Sequence, residues 1–381
     1  MERIFLDYNA STPIAPAVRE AMLPCFDDGC GNPSATHWAG ASARAALDKA
    51  RRQVAGLIGA HDDEIVFTSG GTEANNHAIT GVFFANMGRR VHIVISAVEH
   101  AAIVEPARFL ERLGARLTVV PVDSWGTVDP EDIAAAITPD TLLVSVMHAN
   151  NETGTIQPIG RISGICRERG VLLHTDATQS VGKLPVDVDR LGVDLLSLAG
   201  HKLYALKGVG ALYIRRGVTL DPFMRGAGHE SGRRAGTENV VLDVGLGAAA
   251  ELAADRSWVP GVTALRDRLW AGLRRAFGGG VVLNGHPHDR LPNTLNVSFA
   301  GHTGADVLAA VPEVAASTSA TWHSGEVRLS PALTAMGATP AVNIGAVRFS
   351  LGRGTTAAQI DRAVALLSER VRSEEQSAPA A

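Results

Sequence analysis

The residues with the most chemical potential stand at the ends of apolar runs. Asp194-Leu195-Leu196-Ser197-Leu198 leads straight into Ala199-Gly200-His201-Lys202, so a lysine follows a stretch that belongs inside a protein. A buried ammonium is costly unless it is used, and one use is a Schiff base with a carbonyl compound. By itself, a lysine at a strand end is more often structural. His174-Thr175-Asp176-Ala177-Thr178-Gln179 closes a second run. A carboxylate at the carboxyl end of a parallel strand points into the crevice where such sheets bind ligands. Asp176 there can keep a pyridine nitrogen protonated, making the ring an electron sink; standing alone, it reads first as a cap on the next helix. Thr68-Ser69-Gly70-Gly71-Thr72-Glu73 follows a third run and opens a helix. Its glycines let the main chain close on an anion, and free N–H groups with the Thr72 hydroxyl can cradle a phosphate. Such turns are common, and this one matches neither the dinucleotide fingerprint nor the P-loop.

The elements that must position these residues alternate. Glu64–Thr68, Val91–Ser96, Thr141–Met147 and Val171–Thr175 are continuous apolar runs, as in a parallel sheet covered on both faces. Between them the pattern predicts helices over Ala41–Ile58, Glu73–Ala85, Val104–Leu113, Pro130–Ala136 and Ile159–Arg169. This is the rhythm of an α/β doubly wound layer. After Leu195–Leu198, the Gly-rich stretch Gly208–Ile214 suggests antiparallel strands at the sheet edge. From about Ala248 a long helical pattern, including Val262–Phe277, leads into strands such as Thr294–Phe299 and Val347–Leu351. A smaller α+β domain is expected there. The organisation expected is a large domain over 15–255, a small one from 1–14 with 256–372, and a disordered tail at 373–381.

The 381 residues are 46% hydrophobic and 19% charged with a net charge of −4, ordinary soluble composition without a basic footprint for nucleic acid or membrane. No signal-type leader or membrane-spanning run is recognisable, so a cytoplasmic location is expected. The three cysteines, Cys25, Cys30 and Cys166, make neither a disulfide framework nor a zinc site. His286, His288 and Asp289 lack further ligands at metal spacing, and no metal is expected.

Together the three chemical segments resemble a fold-type I pyridoxal 5'-phosphate enzyme. Further segments narrow the resemblance: Leu6-Asp7-Tyr8-Asn9-Ala10-Ser11-Thr12, Gly31-Asn32-Pro33-Ser34-Ala35-Thr36-His37, Ser96-Ala97-Val98-Glu99-His100, Asn150-Asn151-Glu152-Thr153-Gly154, Gly232-Arg233-Arg234-Ala235-Gly236-Thr237-Glu238-Asn239 and Val347-Arg348-Phe349-Ser350-Leu351-Gly352. All resemble cysteine desulfurases of the branch that supplies sulfur for iron–sulfur clusters and nitrogenase, within the class V aminotransferase superfamily. The resemblance runs from about residue 3 to residue 370. It implies that Lys202 links to the cofactor and moves protons at the substrate Cα. It also implies that Asp176 pairs with the pyridinium nitrogen and that Gln179 and Asn151 contact the phenolate oxygen. His100 is expected to stack on the ring, although a strand-end histidine is otherwise commonly satisfied by backbone. Gly71, Thr72 and His201 are expected at the phosphate, with Thr237 reaching the phosphate of the other subunit of a homodimer. Arg348, with Asn32 nearby, should take the carboxylate of an amino-acid substrate in a bidentate grip.

The match breaks in the loop Ala316-Ser317-Thr318-Ser319-Ala320-Thr321-Trp322-His323-Ser324-Gly325. The family pattern there is Ser-Thr-Gly-Ser-Ala-Cys-x-Ser-Gly, and it places Trp322 at the sulfur-accepting cysteine. An indole has one N–H donor and no lone pair able to attack sulfur. The preceding Gly-Ser-Ala has become Ser319-Ala320-Thr321, and the loop can differ in shape. Ala199 replaces a phosphate-binding serine, and Ser197, one pleat repeat back, cannot stand in. Ala205-Leu206-Lys207-Gly208 replaces Gly-Pro-Lys-Gly, and His229 replaces a Gln. The expected function is therefore a C–S (or Cβ–X) lyase acting on L-cysteine or a cysteine-derived amino acid, with Trp322 closing over the substrate. Transamination, racemisation or decarboxylation, a desulfurase that uses Cys30, and a catalytically inactive scaffold are the alternatives.

Overall fold

The computed structural model describes residues 3–27, 31–89, 91–323 and 326–375, with the backbone alone for 321–323, 326–327 and 372–375. Cys30, and the Trp322 side chain, lie outside what is described, as do residues 376–381 of the expected tail.

Seven strands form the central sheet, in the spatial order Ile65–Thr68, Gly210–Ile214, Leu195–Ala199, Leu172–Asp176, Thr141–Ser145, His92–Ser96 and Arg116–Val120. The last five run parallel, and Gly210–Ile214 is antiparallel to both its neighbours. The sequence placed that strand at the edge; it is internal instead, with Ile65–Thr68 outside it. The link from Ala199 to Gly210 is too short for a parallel crossover, so the chain must turn back directly. Its outer neighbour arrives from far upstream, which adjacency in sequence does not reveal.

The apolar runs are buried along their length because helices cover both faces. One face packs Val54, Ile58, Leu173, Leu196 and Leu246 into a single cluster. The other packs Ile79, Val82, Ile93, Ile103 and Leu212. The strand Arg116–Val120 was not anticipated: it is an edge strand, half-exposed, and carries no continuous apolar run. The helical pattern from Ala248 proves to be two helices, Val240–Ala254 and Val259–Phe277, with Pro260 in the first turn of the second.

A second sheet of four antiparallel strands follows, in the order Ser317–Thr318, Ala346–Ser350, Thr294–Phe299 and Val281–Asn284. Ile4 and Leu6 from the N-terminal segment share its core with Leu269, Phe299, Phe349 and Leu366. The last helix, Ala357–Glu375, takes in residues 373–375, which composition had placed in a disordered tail. Glu374 and Glu375 are good helix formers and extend the helix through Ser373. Among the described residues, no helix is long and apolar enough to cross a membrane.

Candidate active site

Where the strand Leu195–Ala199 ends, a single tight turn, Gly200–Lys202, brings Lys202 to the carboxyl edge of the sheet. Its Nζ donates to the carbonyls of Asn9 at 2.7 Å and Ala10 at 2.8 Å, so the N-terminal segment closes on the lysine. Asp176 ends the adjacent strand Leu172–Asp176. One of its oxygens accepts from Asn75 Nδ2 at 2.7 Å and the other from the Thr178 backbone N–H at 2.9 Å. A carboxylate with a donor on each oxygen is fixed in rotation. Both residues line a cavity of about 370 Å³, bounded also by Asn9, Thr72, His100, Asn151, Gln179 and Arg348.

The cavity fits a phosphate at one end. Gly70 has φ +151°, a conformation suited to glycine. A Cβ on Gly71 would lie 3.1 Å from Thr178 Oγ1 and 3.3 Å from the Ala199 methyl, so the turn is closed to any larger residue without adjustment. The helix Gly71–Ala85 begins there with no side chain capping its first N–H groups, which leaves them open to an anion. The Thr178 hydroxyl beside them is buried and has no hydrogen-bond partner. A hydroxyl therefore remains in the cup despite Ala199. Ser197 is committed elsewhere, 3.0 Å from His174 Nε2. His201 also lines the cavity, where burial, then Lys202, pushes its ring down to about 4.

His100 caps the helix Ala101–Glu111, accepting on Nδ1 from the Ala102 N–H at 3.1 Å, and its ring still borders the cavity. Accepting on Nδ1 assigns the proton of the neutral ring to Nε2. Arg348, also buried, lines the same cavity. Nη2 donates to Asp7 Oδ1 at 2.9 Å and Ser317 Oγ at 3.0 Å, and Nη1 donates to the Asn151 carbonyl at 3.1 Å. Its Nε is buried without a partner, which leaves donor capacity toward a carboxylate. Burial first, then Arg348, pushes the Lys202 amine down to about 8, against the opposing pull of Asp176 and Asp7.

Two expected site residues do not reach this cavity. Asn32 was expected near Arg348, but it is exposed and accepts the Ser34 N–H at 2.8 Å. Its turn leads into the helix Trp38–Ile58, which packs on Val240–Ala254 away from the Arg348 strand. Thr237 is likewise exposed. The chain around it is pinned by Arg51 to Glu230 at 2.6 Å and Arg234 to Glu73 at 2.8 Å.

In the loop, Thr321–His323 and Glu326–Arg328 form a hairpin with Trp322 opposite Val327. Its base is held by Ser319, whose Oγ accepts from Asn296 Nδ2 at 2.9 Å.

Four residues of the site carried no role in the sequence reading: Asn75, Thr178, Asp7 and Lys183. Lys183 is buried at 6% exposure, and its Nζ donates to the Gln179 carbonyl at 2.9 Å and Oε1 at 3.0 Å. The available signal was a polar residue on an otherwise apolar helix face for Asn75, and a lysine four residues after Gln179 for Lys183.

The model of the family Aminotransferase class-V matches residues 4–363. A cysteine desulfurase (IscS) of Dictyoglomus turgidum is 46% identical over 358 residues, covering 93% of this chain and 90% of its own. The corresponding protein of Methanosarcina thermophila is 43% identical, covering 97% and 92%. Among solved structures, a NifS-like protein superposes with a TM-score of 0.92 at 34% identity, over 97% of this chain and all of its own. SspA in complex with cysteine gives 0.82 at 34% identity, over 93% of this chain and all of its own. The chain belongs to the class V aminotransferase family, with cysteine desulfurases of the IscS and NifS-like kind as its homologues. Enzymes of this family depend on pyridoxal 5'-phosphate.

Proposed function

We propose that this chain is a pyridoxal 5'-phosphate enzyme that cleaves a C–S (or related Cβ–X) bond in L-cysteine or a cysteine-derived amino acid, without a persulfide on its loop. The carrying observation is a well-formed cofactor cup combined with Trp322 where the family's loop has cysteine. Lys202, Asp176, Gln179, Asn151, His100, Gly71, Thr72 and His201 would hold the cofactor, with Thr178 supplying the hydroxyl absent at Ala199. Bound there, the cofactor withdraws electron density from the substrate α-carbon. Arg348, steadied by Asp7, orients the substrate carboxylate. Lys202, with its amine pushed down to about 8, takes the α-proton. The β-sulfur then leaves as sulfide or thiol, and hydrolysis of the remaining fragment yields pyruvate and ammonia. L-Cysteine suits the site because SspA, similar over most of this chain, was solved with cysteine.

The other described cysteines offer no nucleophile to replace the missing one. Cys166 lies in the sheet core, and burial, then Asp194, pushes its thiol up to about 12. Burial also raises the Cys25 thiol, and thiolate, not thiol, attacks sulfur. Product analysis after turnover of L-cysteine tests the proposal. Sulfide and pyruvate in equal amounts are expected, with no sulfane sulfur found on 317–325 by intact-mass and peptide spectrometry. Stoichiometric alanine with a persulfide on Cys30 overturns the lyase reading, as does the absence of both keto acid and alanine across cysteine and its S-conjugates.

The same reading includes a homodimer working in the cytoplasm. Thr237 is exposed and away from its own cavity, on a segment held out by the Arg51–Glu230 and Arg234–Glu73 ion pairs. Thr237→Ala should weaken cofactor binding roughly tenfold, the scale of one hydrogen bond to a charged group, without changing sedimentation as a dimer. A monomer that retains cofactor with unchanged affinity would sink this part.

A further inference from the structure

Lys183 is a buried lysine for which the reaction described above has no use. It is 6% exposed, and among the described residues it has no ion-pair partner. The charged groups that act on it are both cations, Lys202 and Arg348; together with burial, which is the larger cause, they push its amine down to about 7. Taking a lysine out of water without a counter-charge is destabilising. A methionine of similar length would fill the same space without that penalty, so the retained amine points to a role of its own.

Its contacts show what the amine does. Nζ reaches back four residues to both the carbonyl and the side-chain Oε1 of Gln179. Nζ donates both bonds, and an amide nitrogen has no lone pair to receive one, so Lys183 holds the oxygen end of the Gln179 amide. The amide is thereby locked with Nε2 turned the other way, where it donates to the Asn9 carbonyl at 3.0 Å. That carbonyl also receives Lys202 Nζ at 2.7 Å. Asn9 is a rigid reference: its N–H donates to Ser350 Oγ at 2.9 Å, its Nδ2 donates to Thr294 Oγ1 at 2.8 Å, and its Oδ1 accepts from Asn293 at 3.0 Å. A continuous row of hydrogen bonds therefore runs from Lys183 through Gln179 and Asn9 to Lys202.

We propose that Lys183 is a positioning residue of the cofactor site, which fixes the orientation of the Gln179 amide and, through Asn9, the resting place of Lys202. The proposal rests on the assignment of Gln179 and Lys202 to that site. It acts without touching the substrate, and it explains why a costly buried amine is kept against Gln179.

The test uses the full-length protein, cofactor-free and loaded, with Lys183→Met, Lys183→Arg, Gln179→Ala and the Lys183→Met/Gln179→Ala double variant. Cofactor-free Lys183→Met should melt close to the parent, because relief from burying an unpaired amine offsets the two Gln179 acceptors it leaves. Loaded, it should bind pyridoxal 5'-phosphate about tenfold more weakly. Its visible absorbance should titrate with a midpoint shifted by roughly half a unit or more, since the Gln179 amide and the resting place of Lys202 are no longer fixed. Lys183→Arg keeps obligate donors against Gln179 and should hold the parental midpoint. The double variant should be no worse than Gln179→Ala alone. A parental midpoint and affinity in Lys183→Met overturns the proposal, as does additivity in the double variant or an equal shift in Lys183→Arg. Lys202→Ala is carried alongside: if that variant still links the cofactor, the site assignment itself fails, whereas if it loses the linkage while the Lys183 variants stay parental, only this inference fails.

Discussion

Lys202→Ala should lose the covalent cofactor linkage and cut turnover by about 10²–10⁴-fold or more, the range of a positioned general base. The motive is geometric: Lys202 Nζ is presented at the cavity by the Asn9 and Ala10 carbonyls, on the same sheet edge as Asp176. Its depressed amine makes a second, sharper expectation. With a value near 8, about a tenth of the molecules carry a neutral amine at pH 7, against fewer than about a thousandth for an ordinary lysine. Capture of added cofactor by cofactor-free protein should therefore accelerate with pH up to about 8 and then level off, as read by stopped-flow absorbance. Between about 8 and 10.5 the unfolded chain holds this proton more tightly than the folded one, so folding stability contributed by Lys202 rises through that window as pH rises. Lys202→Ala should flatten that slope. Retained turnover in the variant, or capture that keeps rising toward pH 10, removes the mechanism.

Asp176→Asn should be the next most damaging change. The carboxylate receives Asn75 on one oxygen and the Thr178 N–H on the other. An asparagine has a single acceptor oxygen, so one buried donor is left facing an amide nitrogen, at a cost of about 1–3 kcal/mol. The cofactor-free protein should melt several degrees lower. Turnover at saturating cofactor should fall further than stability explains, by about 10–100-fold, because a neutral amide cannot pair with a pyridinium as a charge-assisted bond does. Asn75→Ala removes only one support and should lose much less. If Asp176→Asn proves fully active once saturated with cofactor, its place opposite the ring nitrogen is wrong.

Lys202, Asp176 and the Gly70-Gly71-Thr72 turn were legible because each ends or follows a run whose burial is written into its composition. The alternation of such runs with helical periods was enough for a doubly wound sheet, and it located the ends of Thr294–Phe299 and Ile159–Arg169 to the residue. The identity of Trp322 was equally a property of the chain alone, since an indole needs no fold to be recognised as lacking a thiol. Strand order was not legible. The position of Ile65–Thr68 outside Gly210–Ile214 depends on which surfaces meet after collapse, and Arg116–Val120 hides at an edge where half its side chains face water. The supports of the site were hidden for a related reason. Asn75 meets Asp176 across 101 residues, and Arg348 meets Asp7 across 341. Composition and periodicity report how much of a segment is buried, because burial is a local average over neighbouring side chains. A hydrogen bond between distant residues depends on the angle and register at which two elements pack, and only the folded chain settles that.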